Sequence, residues 1–278
     1  MVELFRRAAP LLLLLNAVAC HRDTVPTSPL AGSAMPGDYR LVWSDEFDRD
    51  GAPDPTRWAY DVGGGGWGNN EQQFYTDDRR ENARVEDGHL VIEARREAWQ
   101  SRPYTSARLV TRGRGDWVYG RIEVRAQLPV GRGSWPAIWT LGSSTPFRWP
   151  DDGEIDIMEH VGFDPGVVHA SIQTGRYNHV DRTQRTMQTV VPDVSTGFHL
   201  YRTEWTADRI ETSVDGRVFF SFAREPEGGR GSWPFDRPQH LLLNVAVGGD
   251  WGGLQGVDDG SLPYRLLVDH VRVYQRAP

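Results

Sequence analysis

The chain contains no lysine. All 31 basic residues are arginine, set against 38 acids, for a formal net charge of −7. That acidic balance argues against nucleic acid or another polyanion as partner, since such partners want a basic face. The missing lysine reads as compositional bias of the source more than as chemistry. Cysteine is almost absent too. Cys20 stands alone, which excludes an intrachain disulfide, and with scattered histidines it makes no zinc site. At 278 residues the core can be large enough to need no covalent staple. No Gly-x-Ser-x-Gly elbow occurs, and Gly63-Gly-Gly-Gly66 is not followed by the Gly-Lys-Ser/Thr of a phosphate loop. No long segment with helical period is found either.

Long apolar runs are confined to the start. Arg6 and Arg7 precede an apolar stretch over residues 8–19 that is too short to span a bilayer as a mature helix. It ends Ala17-Val-Ala-Cys20, which resembles a bacterial lipoprotein cleavage box, with alanine at 17 where leucine is usual. The expectation is a leader over residues 1–20, a lipid anchor on Cys20, and display at the outer membrane or cell surface. His21 follows the cysteine, so an aspartate that would retain the protein at the inner membrane is absent. The alternative is ordinary signal cleavage and secretion. Residues 21–38, with Pro26, Pro29, Pro36 and Gly32, read as a flexible tether. A catalytic domain over 39–278 follows.

That domain is written in short alternating runs. In Gly120-Arg-Ile-Glu-Val-Arg-Ala126, Ile122 and Val124 face one way, and Arg121, Glu123 and Arg125 the other. Residues 89–94, 167–174, 198–205, 209–214, 218–222, 241–247 and 267–274 read as further strands. Many short strands without intervening helices predict an all-β sandwich or jelly roll.

The most informative stretch is Glu154-Ile-Asp-Ile-Met-Glu159. Residues two apart on a strand share a face, so Glu154 and Asp156 point together and Ile155 and Ile157 point away. Glu159, five positions on, joins the acids only if a β-bulge near Ile157-Met158 adds one residue. Two close carboxylates suit hydrolysis of a glycosidic bond. The competing reading is a solvated strand face. The run over 167–174 should pair with this strand as a hairpin across a Gly162–Gly166 turn. Eleven tryptophans are present. Trp135 and Trp139 lie just before the acids, and Trp67 and Trp251 sit in glycine-rich loops. Indole faces pack on the C–H faces of sugars, which suits a carbohydrate-binding rim.

With these residues the chain resembles glycoside hydrolase family 16, in its laminarinase branch. The matching pieces are Trp43-Ser-Asp-Glu-Phe47, Gly66-Trp-Gly-Asn-Asn-Glu71, Asn82-Ala-Arg-Val-Glu-Asp-Gly88, Tyr104-Thr-Ser-Ala-Arg108, Trp135-Pro-Ala-Ile-Trp139, the acid strand, and Leu243-Asn-Val-Ala-Val-Gly-Gly249. The resemblance implies a β-jelly roll of two antiparallel sheets with a cleft on the concave face, and an endo-β-1,3-glucanase that retains anomeric configuration. It implies Glu154 as nucleophile, Glu159 as acid/base and Asp156 as helper between them. Glu159 would hold its proton while Glu154 stays charged. Residues matching sugar-binding positions are Asn69, Arg108, Trp135, Trp139, Asn244 and Trp251. His169 and Gln173 share the acid face, and Gln173 stands where many relatives carry histidine. The resemblance also implies a structural calcium held by Glu46, Gly88 and Asp269, with no cofactor for catalysis. A monomer acting on β-1,3-glucan is expected. A non-catalytic glucan receptor, a transglycosylase, and relatives acting on mixed-linkage glucan or algal galactan are the alternatives.

Overall fold

Period-two alternation builds two stacked sheets. The computed structural model describes residues 39–276. The expected leader, Cys20 and the tether over 21–38 lie outside the described residues. Among those described, one sheet has ten strands and the other eight. The eight-stranded sheet runs Arg185–Val190, Val167–Gln173, Glu154–His160, Ser134–Gly142, Gln239–Val247, Arg108–Val110 and Ala59–Tyr60, with Asp116–Trp117 also paired to Gln239–Val247. Every named pair in it is antiparallel. The ten-stranded sheet centres on Tyr264–Arg276, flanked by Gly120–Gln127 and His89–Trp99. It contains a parallel pair, Gln73–Tyr75 with Arg102–Ser106.

Inward-facing residues of both sheets form one core. Ile122, Val124, Leu266, Val268, Val271 and Val273 meet Ile155, Ile172, Leu241, Leu243 and Val245 there. Burying such side chains contributes roughly 1.5–3 kcal/mol each. The central strand of the eight-stranded sheet is buried on its outer side as well. All nine residues of Gln239–Val247 are buried, hence its near-continuous apolar sequence. Among the described residues the helical content is a four-residue turn, Gly229–Ser232, and a 3-10 turn, Asp259–Ser261.

The expected strands are present, most of them longer than their apolar runs. The one over 89–94 extends to Trp99, and that over 267–274 spans Tyr264–Arg276. The edge strand Arg185–Val190 was not anticipated. Five of its six residues are exposed, so neither face carries an apolar period. Backbone pairing to Val167–Gln173 holds it in place.

Candidate active site

The acids sit on the outer face of the eight-stranded sheet, and the bulge puts them there. Asp156 pairs with Ser171 while Glu159 pairs with His169, so three steps on the acid strand oppose two on its neighbour. On the other side, Ile138 faces Met158 and Trp139 faces Asp156, which places the extra residue at Ile157. Ile157 and Met158 both turn into the core and are fully buried. Two successive apolar residues thus point inward, and Glu159 returns to the side of Glu154 and Asp156. The adjoining strands complete the surface in register: Gln173 opposite Glu154, Ser171 opposite Asp156, His169 opposite Glu159.

Each glutamate receives an indole N–H. Trp135 Nε1 donates to Glu159 Oε1 at 3.0 Å, and Trp149 Nε1 donates to Glu154 Oε2 at 2.9 Å. Burial raises the Glu159 pKa to about 8, helped by the charge of Asp156 and opposed by the Trp135 and Ser171 donors. Burial likewise raises Glu154 to about 7, helped by the charge of Glu159 and opposed by Trp149, Asp156 and Arg108. Both glutamates are thus displaced upward, and Glu154 is not the low-pKa carboxylate that was expected. The reason is that both groups sit part-buried at the floor of one cleft, with carboxylates as neighbours. Asp156 lies beneath them, 3% exposed, and burial followed by the charge of Glu154 pushes it well above the usual carboxylate range. Its Oδ2 is buried with no donor aimed at it. A protonated Asp156 can donate an O–H hydrogen bond to Glu154, which steadies the Glu154 charge.

The acids line a cleft of about 670 Å³. The structure gathers every expected sugar-binding position there: Asn69, Arg108, Trp135, Trp139, His169, Gln173, Asn244 and Trp251. The Arg108 guanidinium is stacked between Trp67, at 4.7 Å, and Trp139, at 4.6 Å. Its Nε lies 3.2 Å from Asp61 Oδ2. Trp251 meets Trp135 and His169 edge to face. Gln173 accepts the His179 backbone N–H on Oε1 at 3.0 Å, which turns its amino group toward Asp156.

Sequence reasoning missed three contributors. Trp149 reaches Glu154 from a loop with no strand period to mark it. His179 packs against Trp149 at a tilt of 45°, with ring centroids 4.9 Å apart. Glu71 was noted only as part of a motif, yet it lines the cleft as a buried carboxylate. His160 faces away from the cleft and accepts the Gly166 N–H at 3.2 Å, which braces the hairpin turn.

The expected calcium residues lie on the other sheet. Asp269 Oδ2 is 3.2 Å from Arg125 Nη1 and 2.8 Å from His270 Nδ1. Although burial opposes it, those partners hold its pKa below the usual value, so it is ionised. The Glu46 carboxylate is taken up by Arg272, at 2.8 and 2.9 Å, which leaves its backbone carbonyl as the donor the resemblance invokes. Gly88 occupies a left-handed turn at φ +74°. No three His, Cys, Asp or Glu side chains among the described residues converge to hold a metal. The donor set in question is instead one ionised carboxylate and two carbonyls, all hard oxygens of the kind calcium prefers.

Comparison with known proteins agrees with this geometry. Residues 70–261 match the model of glycosyl hydrolases family 16. A β-glucanase from Rhodothermus marinus is 54% identical over 270 residues, covering 92% of this chain and 94% of the relative. The X-ray structure of the laminarinase from Rhodothermus marinus superposes with a TM-score of 0.85 at 54% identity, over 88% of this chain and all of that one. The crystal structure of SCLam, described as a non-specific endo-β-1,3(4)-glucanase, gives 0.84 at 49% identity, over 88% of this chain and 94% of that one. The chain therefore belongs to glycosyl hydrolase family 16.

Proposed function

We propose that the protein is a retaining endo-β-1,3-glucanase. One observation carries the reading: two glutamates, each held by an indole N–H, stand on one face of a bulged strand at the floor of a tryptophan-lined cleft. In this reading Glu159 protonates the leaving oxygen while Glu154 attacks the anomeric carbon, forming a glycosyl ester with inversion. Glu159, now ionised, takes a proton from water as that water displaces Glu154. The second inversion restores the β configuration. Asp156 donates its proton toward Glu154 and adjusts the carboxylate's charge as the ester forms and breaks. Both steps use carboxylates and water, and neither requires a metal.

A broader reading has its own support. The identity to an enzyme described as a non-specific endo-β-1,3(4)-glucanase favours activity on mixed-linkage glucan as well. The non-catalytic receptor is set aside because Glu154 and Glu159 are both present. Product profiles on laminarin, lichenan, agarose and xyloglucan test the proposal. Early release of a ladder of laminarin oligosaccharides is expected. Glucose as sole early product means exo action, and galactan cleavage with inert laminarin overturns the substrate class. Products longer than the starting chains would favour the transglycosylase.

Three further parts of the reading rest on the sequence and the resemblance. The protein is an exported lipoprotein anchored through Cys20, which intact-mass analysis of the native protein tests. An unmodified N-terminus beyond Cys20 overturns it. The catalytic domain acts as a monomer, which light scattering checks. A structural calcium binds the carbonyls of Glu46 and Gly88 and the Asp269 carboxylate. Its contribution would be to stability, far from the acids.

A further inference from the structure

Glu71 is a carboxylate, 5% exposed, that the double displacement leaves unused. Two hydrogen-bond chains run into it, and each begins at a group that can only donate. On one side the Val247 backbone N–H donates to Gln73 Oε1 at 2.7 Å. Gln73 must then turn Nε2 toward Glu71, and it donates to Oε2 at 2.6 Å. On the other side the Trp139 indole N–H donates to Asn244 Oδ1 at 2.7 Å. Asn244 must then turn Nδ2 toward Tyr75, and it donates to the hydroxyl oxygen at 3.0 Å. The Tyr75 hydroxyl keeps its own proton to give, and it donates to Glu71 Oε2 at 3.1 Å. Asn69 Nδ2 supplies a further, longer donor to Oε1 at 3.4 Å. Burial pushes the Glu71 pKa up, and the Gln73 donor, the Arg108 charge and the Tyr75 and Asn69 donors oppose it. With two donors converging on Oε2 and one on Oε1, the geometry favours the ionised, acceptor-only carboxylate.

We propose that Glu71 is a positioning residue: its charge sets the direction of this relay and so fixes the hydrogen-bonding face that Asn244 and Asn69 present to the sugar. Asn244 spends its carbonyl on Trp139 and one N–H on Tyr75, so its second N–H is left for the cleft that it lines. Asn69 directs its amino group to Glu71, so its carbonyl oxygen is left as an acceptor. The same relay holds the Trp139 indole edge-in, with its face under Arg108. A sugar therefore meets one fixed donor, one fixed acceptor and one fixed ring. A neutral amide at position 71 cannot accept on both sides. With its oxygen toward Gln73 and Tyr75 its NH2 meets the Asn69 amino group, and flipped it offers an N–H to Tyr75, whose oxygen already accepts from Asn244. The single direction would be lost. The substrate in this inference rests on the glucanase reading; the direction of the relay does not.

Two measurements on the full chain separate the two. In the free protein, ¹⁵N-labelled tryptophan gives an indole signal for Trp139, assigned with Trp139→Phe. Glu71→Gln and Tyr75→Phe should each move that signal and speed its hydrogen exchange, whatever the substrate is. An unmoved signal in both folded variants overturns the relay. In kinetics on laminarin, each variant should raise KM roughly tenfold, the scale of one hydrogen bond, and lower kcat by less. The double variant should cost no more than either single one, because both interrupt one chain. Additive losses, or an unchanged KM beside a lowered melting temperature, also overturn the proposal. Laminarin left intact by the wild type would sink the substrate reading, while the indole signal still decides the relay.

Discussion

Trp149 Nε1 donates to Glu154 Oε2 at 2.9 Å, across a cleft wall formed by a loop that precedes the acid strand. Such a donor favours the charged form of the carboxylate and so lowers its pKa. Trp149→Phe keeps the ring and removes the N–H. The Glu154 pKa then rises, and activity that needs Glu154 ionised is lost first on the acid side. At pH 6 kcat/KM should fall roughly tenfold, the worth of a hydrogen bond to a charged group, with a smaller loss at pH 8. An equal loss at both values would assign Trp149 to packing alone.

The two glutamates should produce a narrow bell in kcat/KM. Its limbs should fall near neutrality and just above, since burial and mutual charge raise Glu154 to about 7 and Glu159 to about 8. The limbs report the interacting pair and not isolated groups. Glu154→Ala and Glu159→Ala should each lose almost all turnover, and Asp156→Ala less, with a distorted profile. Azide should rescue Glu154→Ala as an α-glycosyl azide, since a small anion fits the emptied site. Proton NMR of the first wild-type product should show the β anomer. An initial α anomer defeats the retaining mechanism.

The same raised pKa values make a prediction about stability. A carboxyl with a raised folded-state pKa binds its proton more tightly in the native state. Its favourable contribution is complete below the unfolded value of 4.5 and is lost as pH rises toward about 8 for Glu159. Glu159→Gln removes that loss. Its melting temperature should exceed the wild type's by several degrees at pH 8 and match it near pH 4. Thermal melts across pH check this, and a gap that widens toward acid would reverse the sign of the argument.

Calcium should act on the melt and not on turnover. A ligand that binds only the folded state stabilises it by RT ln(1 + [L]/Kd). EDTA should lower the melting temperature, added calcium should restore it, and Asp269→Asn should abolish the difference. No shift, together with no metal by elemental analysis, removes the site.

The sequence by itself determined the architecture and the floor of the cleft. Ile122 and Val124, or Ile155 and Ile157, alternate with polar residues because a strand sends successive side chains to opposite faces, so burial is written in period two. The five-residue spacing from Glu154 to Glu159 put all three acids on one face only if a bulge intervened, and the structure supplies it, burying Ile157 and Met158 together. Tertiary structure decided what touches the acids. Trp149 reaches Glu154, and Glu71, Tyr75, Trp139 and Asn244 join in one relay, through loop placement and sheet stacking that leave no local period. Arg185–Val190 is a strand because its neighbour offers a free edge, not because its residues prefer to be one. Burial is likewise a property of the folded cleft: packing among tryptophans and neighbouring carboxylates raises the pKa of Glu154 and Glu159, which no local sequence pattern records.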